Sequence, residues 1–194
     1  MFRSFIPRLS STLLQGLLFI AASMFSFLSH ADNPLAGYTL GAGDLISITV
    51  YDEEDLSLEV RIGLSGQISY PLLGDVAVSG LSPKQLEDKL VAGLKGPFLI
   101  DPSVTVSIQE YRPFYVIGEV KKPGGYPFHP GLTVDKAISI SGGFTERASK
   151  SSIFVVHDYG NSSRKRSDND EKEAVKLFDV IQPGDVITIE QSFF

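Results

Sequence analysis

The segment from Tyr115 to Phe144 places the strongest constraint on the fold of this chain. Its apolar start, Tyr115–Val120, predicts a β-strand. Lys122-Pro123-Gly124-Gly125 then predicts a tight turn, because proline presets φ near about −65° and glycine accepts positive φ. Tyr126–Phe128 predicts a second short strand, so the chain turns back on itself within a few residues.

A helix is predicted after the second strand. Thr133 is a suitable N-cap whose side-chain oxygen accepts a hydrogen bond from the Lys136 amide. Gly142-Gly143 ends the helix, because glycine accepts the left-handed conformation there. The apolar face of this helix consists of Val134, Ala137 and Ile138. A unit of this size needs further strands to cover its core, and these are predicted at Ile153–His157 and Val186–Ile189.

A short motif, G-D-[LV]-I-[ST]-I, occurs near both ends of the chain. The first copy opens with Gly43-Asp44 and the second with Pro183-Gly184-Asp185. Apolar residues alternate with Ser or Thr in both, which predicts a strand, and the aspartate can accept hydrogen bonds from backbone amides of the turn. The repetition has two interpretations: two related β units that bracket the fold, or two unrelated turn-strand sequences.

The residues before Tyr111 predict a second unit of strands and a helix. The helix begins at Ser82-Pro83, with Ser82 as the N-cap and Gln85 completing a capping box. Its core-facing residues are Leu86, Leu90 and Leu94. Strands are predicted at Leu58–Ile62, Gln67–Tyr70, Asp75–Val78 and Ser103–Ile108. We place the domain boundary at Tyr111-Arg112-Pro113, because proline lacks the amide donor that a central strand requires.

The first 31 residues have the features of a secretory signal peptide. Arg3 and Arg8 precede an uncharged apolar run, Leu13–Leu28, and Ser29-His30-Ala31 places small residues at positions −3 and −1 of a cleavage site. The alternative is an uncleaved anchor, but the run is shorter than the ~20 residues of a spanning helix. The chain contains no cysteine, so we do not expect a lipoprotein.

Charge and motif content exclude several functional classes. Loss of the signal peptide removes two arginines and changes the net charge from −6 to −8, which argues against general affinity for nucleic acid. His129 and His157 lie outside any motif that would pair them with a nucleophile or with metal ligands. Fingerprints of hydrolases, P-loops and dinucleotide sites are absent. We therefore predict that the protein is not an enzyme and uses no cofactor.

Three kinds of short feature leave alternatives open. The acidic run Asp52–Asp55 predicts either a cation or acid/base site or a solvated turn. Arg164-Lys165-Arg166 predicts either a contact with an anionic polymer or a solvated loop. Three tyrosines are candidates for contact with sugar, since sugar rings present C–H faces that pack on aromatic rings. They are Tyr70, Tyr111 and Tyr126, and the alternative for each is packing in a core.

The turns described above also carry a family resemblance. The pattern of the soluble ligand-binding β-grasp (SLBB) module is matched by Gly118-Glu119-Val120, Pro123-Gly124, Tyr126, Gly142-Gly143 and Pro183-Gly184-Asp185. The N-terminal half resembles the export domain of bacterial outer-membrane polysaccharide export proteins at Gly41–Val50, which includes Gly43 and Asp44, and at the Ser69–Gly74 turn. The resemblance implies an α+β chain with a small export-type domain at residues 32–113 and a β-grasp domain at 114–194.

The resemblance implies a periplasmic protein, associated with the outer membrane, that helps to carry capsule or exopolysaccharide outward as a ring-like conduit or adaptor. Its expected partners are the polymer, copies of itself, and an inner-membrane copolymerase that is often coupled to a tyrosine kinase. Longer family members have a lipidated cysteine and a C-terminal amphipathic helix that forms the pore. This chain has neither, so a separate outer-membrane channel is also expected. The alternative function is a periplasmic module that binds a soluble sugar or other ligand without forming a conduit.

Overall fold

The computed structural model describes residues 37–157 and 172–192. Within these ranges the elements are, in chain order, β1 (Leu45–Val50), a 3-10 turn (Glu54–Leu56), β2 (Leu58–Arg61), β3 (Gln67–Tyr70), β4 (Gly74–Ala77), α1 (Pro83–Leu94), β5 (Val104–Glu110), β6 (Phe114–Gly118), β7 (Gly124–Tyr126), α2 (Val134–Ile140), β8 (Ala148–Val156), β9 (Glu173–Ala174) and β10 (Val186–Gln191). Among the described residues, no helix has the length and apolar character needed to cross a membrane. The predicted signal peptide and Arg164-Lys165-Arg166 lie outside these ranges.

The first domain packs helix α1 against a small antiparallel sheet. The strand order is β2-β1-β5, and β3 and β4 form a separate hairpin. The alternation predicted for β1 is confirmed by the burial of Ile46, Ile48 and Val50. Residues of the sheet, the hairpin and the helix contribute to one core, so the hairpin is held by packing rather than by strand pairing with the sheet.

Helix α1 begins as its sequence predicts. The Ser82 hydroxyl accepts a hydrogen bond from the Gln85 amide (3.1 Å), and the Gln85 side chain accepts one from the Ser82 amide (2.8 Å). This reciprocal pair satisfies two of the amides that a helix start leaves without partners. The three leucines of its core face, Leu86, Leu90 and Leu94, are fully buried.

The second domain is a five-stranded mixed sheet in the order β7-β6-β10-β8-β9. Helix α2 covers one face, with Val134, Ala137 and Ile138 in the same buried cluster as residues of β6, β8 and β10. Strands β6 and β10 run parallel, with Val186 opposite Tyr115 and Ile189 opposite Gly118. The strands predicted near Ile153 and Val186 are therefore the ones that complete this core, and the α+β class is confirmed.

Two local predictions for this domain are wrong. The second strand runs over Gly124–Tyr126 rather than Tyr126–Phe128, because Gly124 and Gly125 pair with β6, whereas Phe128 enters the core. Thr133 is the N-cap residue of α2, but its side chain accepts no hydrogen bond from the helix. The Thr133 hydroxyl instead donates to the Asp135 carboxylate, and this bond lowers the pKa of Asp135.

The main chain after β9 replaces the missing cap. The amides of Val134 and Asp135 donate to the carbonyl groups of Asp179 (3.0 Å) and Leu177 (2.8 Å). These amides are among those that a helix start leaves without internal partners. A side-chain cap is unnecessary here, because a distant segment of the chain supplies the acceptors.

The two copies of the repeated motif form the same turn. Asp44 and Asp185 are fully buried, and each accepts a hydrogen bond from the amide three residues before it, Gly41 (2.8 Å) and Gln182 (2.7 Å) respectively. The second oxygen of Asp185 lies 2.9 Å from His157 Nδ1, and this hydrogen bond raises the pKa of His157. The repeated sequence thus corresponds to a repeated function, a buried carboxylate that holds a turn before a strand.

Both oxygens of Asp44 bind the segment between the domains. The Arg112 amide donates to Asp44 Oδ1 (2.7 Å), and the Arg112 guanidinium lies 3.3 Å from Asp44 Oδ2. The Tyr38 hydroxyl donates to the same Oδ2 (2.6 Å) and accepts from Arg112 Nη1 (2.9 Å). Burial raises the pKa of the Tyr38 phenol, so this hydroxyl stays protonated. We call these three residues, Tyr38, Asp44 and Arg112, the buried latch.

We predict that Asp44→Ala destabilises the protein strongly. The substitution removes the Asp44 carboxylate from the buried Arg112 guanidinium, and breaking a buried ion pair in this way costs about 3–5 kcal/mol. Urea unfolding followed by circular dichroism measures this change. The control is Asp52→Asn at an exposed aspartate, which should stay within about 0.5 kcal/mol of the wild type. Equal unfolding free energies for both variants would show that the latch does not stabilise the fold.

We predict that Gly118→Ala is much more destabilising than Gly143→Ala. Both glycines have a left-handed backbone, with φ of +88° and +85°. A Cβ at Gly118 would lie 2.0 Å from the Ile189 carbonyl oxygen, whereas a Cβ at Gly143 meets nothing within 4 Å. The Gly143 variant therefore measures the backbone cost alone, about 1–2 kcal/mol. Thermal unfolding compares the two, and equal losses would contradict a steric role for Gly118.

Candidate functional site: an aromatic groove between the two domains

An open groove of about 630 Å³ lies where the two domains meet. Its volume falls within the roughly 300–1,000 Å³ of small-molecule binding sites. The first domain and the connecting segment contribute Arg61, Gln109, Glu110, Tyr111 and Pro113. The second domain contributes residues 125–130, the segment that follows the turn between β6 and β7.

The wall formed by the first domain carries an exposed ion pair. Leu45, at the start of β1, lies opposite Arg61 of β2 and Glu110 of β5, so the two charged side chains meet across the end of β1. Arg61 Nη1 also donates to the Gly43 carbonyl (2.7 Å). The side chains of Arg61 and Glu110 are 52% and 60% exposed. The pair therefore presents hydrogen-bond donors and acceptors to the groove.

The wall formed by the second domain is aromatic and rich in proline. The Tyr126 ring packs against Phe114, with ring centroids 5.8 Å apart and planes inclined by 31°. The Tyr126 hydroxyl donates to the Lys122 carbonyl, which fixes the ring at the turn. Pro127 and Pro130 restrict the backbone of this segment, because their rings lock φ. His129, between them, is exposed.

Tyr111 connects the two cores below the groove. Its ring makes edge-to-face contacts with Tyr38 of the first domain (5.3 Å between centroids) and with Phe128 of the second (5.5 Å). Burial, together with the nearby Asp44 carboxylate, raises the pKa of the Tyr111 phenol. Since Arg112 is the next residue, the latch and the aromatic row hold the same point of the chain. The groove therefore has a fixed shape before any ligand enters.

The three tyrosines proposed for sugar contact occupy different environments. Tyr111 and Tyr126 both line the groove and are partly exposed. Tyr70 is only 2% exposed and donates its hydroxyl to the Leu56 carbonyl (2.8 Å). The Tyr70 ring thus belongs to the core of the first domain and offers no face to a sugar.

The sequence patterns did not indicate Arg61 and Glu110 as members of a site. The two residues are 49 positions apart, and they meet only because both pair with the start of β1. The sequence shows only that opposite charges lie near the ends of two strands. The register of both strands against β1 is needed to show that the two side chains meet.

The turn residues that the resemblance identified lie outside the groove lining. Gly43, Gly118, Gly142, Gly143 and Gly184 all have left-handed backbone conformations, and Pro123 and Gly124 lie where the chain turns from β6 into β7. The acidic run Asp52–Asp55 leads into the exposed 3-10 turn. No group of three or more His, Asp or Glu side chains within residues 37–157 and 172–192 is arranged to hold a metal ion.

Comparison with protein families assigns both halves of the chain. Residues 32–109 match the family model described as polysaccharide biosynthesis/export protein. Residues 113–165 match the SLBB domain. The gap between the two matches contains Arg112, which Tyr38 and Asp44 bind.

Several curated proteins are similar to this chain. The exopolysaccharide production protein ExoF of Rhizobium meliloti (strain 1021) is 36% identical over 76% of this chain and 37% of its own length. The EPS I polysaccharide export outer membrane protein EpsA of Ralstonia nicotianae (strain ATCC BAA-1114 / GMI1000) is 27% identical over 55% of this chain and 34% of its own length. The polysialic acid transport protein KpsD of Escherichia coli is 28% identical over 92% of this chain.

The aligned regions cover 37% of ExoF, 34% of EpsA and 30% of KpsD. This chain therefore spans about a third of the length of each of these relatives. The order of the two family models along the chain is the order that the sequence patterns predict. This chain therefore carries a domain of the polysaccharide biosynthesis/export protein family at residues 32–109, followed by an SLBB domain.

Proposed function

We propose that this protein is a component of the machinery that exports capsule or exopolysaccharide. The observation that carries the proposal is the combination of an export-family domain with an SLBB domain in a single chain. The relatives that share this region are named for exopolysaccharide production, polysaccharide export and polysialic acid transport. The proposed role is one of transport without catalysis.

The proposed location is the periplasm, in association with the outer membrane. The signal-like sequence at residues 1–31 supports export from the cytoplasm. EpsA, which aligns with 55% of this chain, is named as an outer membrane protein. The proposed partners are the polysaccharide, an inner-membrane copolymerase with or without its tyrosine kinase, and an outer-membrane channel.

We further propose that copies of the chain assemble head to tail into a ring-like conduit or adaptor. A closed ring requires two different surfaces that fit each other. The outer face of the β-grasp sheet exposes Tyr115 (45%) and Ile117 (43%), and the far end of β1 exposes Tyr51 (80%). Exposed apolar side chains grouped on one face are typical of interaction surfaces. These exposed side chains support a head-to-tail contact between the outer sheet face of one copy and the region around Tyr51 in the next copy.

The export role is tested by deleting the gene and measuring polysaccharide at the cell surface and in the periplasm. We expect surface polymer to be lost and to return with the full-length gene. A gene lacking residues 114–194 should not restore it, provided that immunoblotting detects the shortened protein in the periplasm. Unchanged surface polymer after deletion would contradict the export role and favour a soluble sugar-binding module.

The assembly is tested by the mass of the purified protein without its signal peptide, using size-exclusion chromatography with light scattering. We expect an oligomer in the wild type and a smaller species in Ile117→Asp, because the new carboxylate would have to be desolvated in the interface. Leu64→Asp is the control, since Leu64 is 90% exposed and lies on the other domain. A wild-type monomer, both alone and with the copolymerase, would contradict the ring.

A further inference from the structure

We propose that the groove between the domains is a glycan-binding subsite that holds internal residues of a polysaccharide chain. In this subsite one sugar ring packs against Tyr126, and neighbouring hydroxyl groups bind the Arg61–Glu110 pair. The proposal rests on the proposed export function, since it names the part of the protein that contacts the exported polymer. The ligand class is a chain of hexose residues with unsubstituted vicinal diols.

The Tyr126 ring is held in place and is accessible from the groove. One side of the ring packs against Phe114, and the hydroxyl is fixed on Lys122, so the ring is held in place. It nevertheless remains partly exposed and lines the groove. A fixed aromatic ring with an accessible surface loses little conformational freedom when an apolar sugar face packs on it.

The exposed Arg61–Glu110 ion pair can bind neighbouring sugar hydroxyl groups. A hydroxyl group both donates and accepts hydrogen bonds, while a guanidinium only donates and a carboxylate only accepts. Two neighbouring hydroxyls can therefore accept from Arg61 and donate to Glu110 at the same time. An ion pair as exposed as this one contributes little to stability. Folding alone gives little reason for its position in the groove.

The groove is open and is lined by one charge of each sign. Because it is open, a chain can enter and leave it without ending there, which suits internal residues of a polymer better than a single free sugar. The charges of Arg61 and Glu110 balance each other. The exposed Gln109 and His129 side chains add further hydrogen-bonding groups at the edge. Fixed aromatic rings with a few polar groups around them are the composition expected of a binding site.

The test uses the full protein without its signal peptide and, as the probe, oligosaccharides made by partial hydrolysis of the extracellular polymer of the producing strain. Titration followed by amide NMR locates the contact. We expect shifts concentrated at residues 109–111 and 125–129. Shifts concentrated elsewhere, or no shift with any fraction, would overturn the proposal.

Two comparisons identify the chemistry of the ligand. Periodate cleaves vicinal diols, so oxidised and reduced fragments should bind at least tenfold more weakly than untreated ones. Disaccharide fragments should also bind more weakly than longer ones if the subsite holds a chain. Equal binding of oxidised fragments would overturn the role of the ion pair, and equal binding of disaccharides would indicate a site for free sugar and overturn the proposal for polymer residues.

Variants separate the contacts from the fold. Tyr126→Ala and Glu110→Ala should each weaken binding about tenfold, whereas Tyr126→Phe, which keeps the ring but loses its bond to Lys122, should weaken binding less than Tyr126→Ala. Glu59→Gln, another exposed acid on the same sheet, is the matched control. Unfolding curves show whether each variant is folded, and Glu110→Ala tests the subsite even if Tyr126→Ala does not fold. Unchanged affinity in both alanine variants would overturn the proposal.

Failure of the groove proposal can be distinguished from failure of the export role. The wild type and Glu110→Ala are each tested for restoration of surface polymer in the deletion strain, whether or not they bind fragments. Restoration by a protein that binds no fragment would retain the export role and overturn the groove. Binding at the groove by a protein that does not affect surface polymer would have the opposite meaning.

Discussion

The joint between the two domains depends on one buried carboxylate. Asp44 holds its own turn through Gly41 and binds both the backbone and the guanidinium of Arg112, while Tyr38 completes the set. A guanidinium that is 5% exposed needs such a partner, because an uncompensated charge in the interior is costly. Because Tyr111 precedes Arg112, the same carboxylate also fixes the aromatic row that forms the bottom of the groove. The proposed binding surface is thus a consequence of how the joint is stabilised.

The second copy of the motif shows how the same turn serves a different purpose. Asp185 repeats the turn-holding hydrogen bond of Asp44, but its carboxylate also binds His157, whose side chain is 25% exposed, rather than a buried arginine. The turn is therefore separable from the joint: the sequence G-D encodes the turn, and the additional partners of the carboxylate decide whether it joins two domains. Only the copy in the export domain connects two cores.

Features that depend on neighbouring residues could be predicted from the sequence, and features that depend on distant ones could not. The capping box at Ser82 and Gln85 and the alternation in β1 involve residues a few positions apart. The cap of α2 was mispredicted because its acceptors lie at Leu177 and Asp179, more than forty positions away. The same limit applies to the site. Nothing local distinguishes Tyr70, which is buried, from Tyr126, which lines the groove, and Arg61 meets Glu110 only through strand register.

The parallel pairing of β6 and β10 has a consequence for the order of folding. The first and the last described strands of the β-grasp domain are neighbours inside its sheet, about seventy positions apart in the chain. Contacts of such long sequence separation form slowly, since a long loop must close before they contribute. Because synthesis starts at the N-terminus, the first domain, whose strands end at Glu110, and the β6–β7 pair can form before β10 is available to the other edge of β6. Until then that edge of β6 has no strand partner.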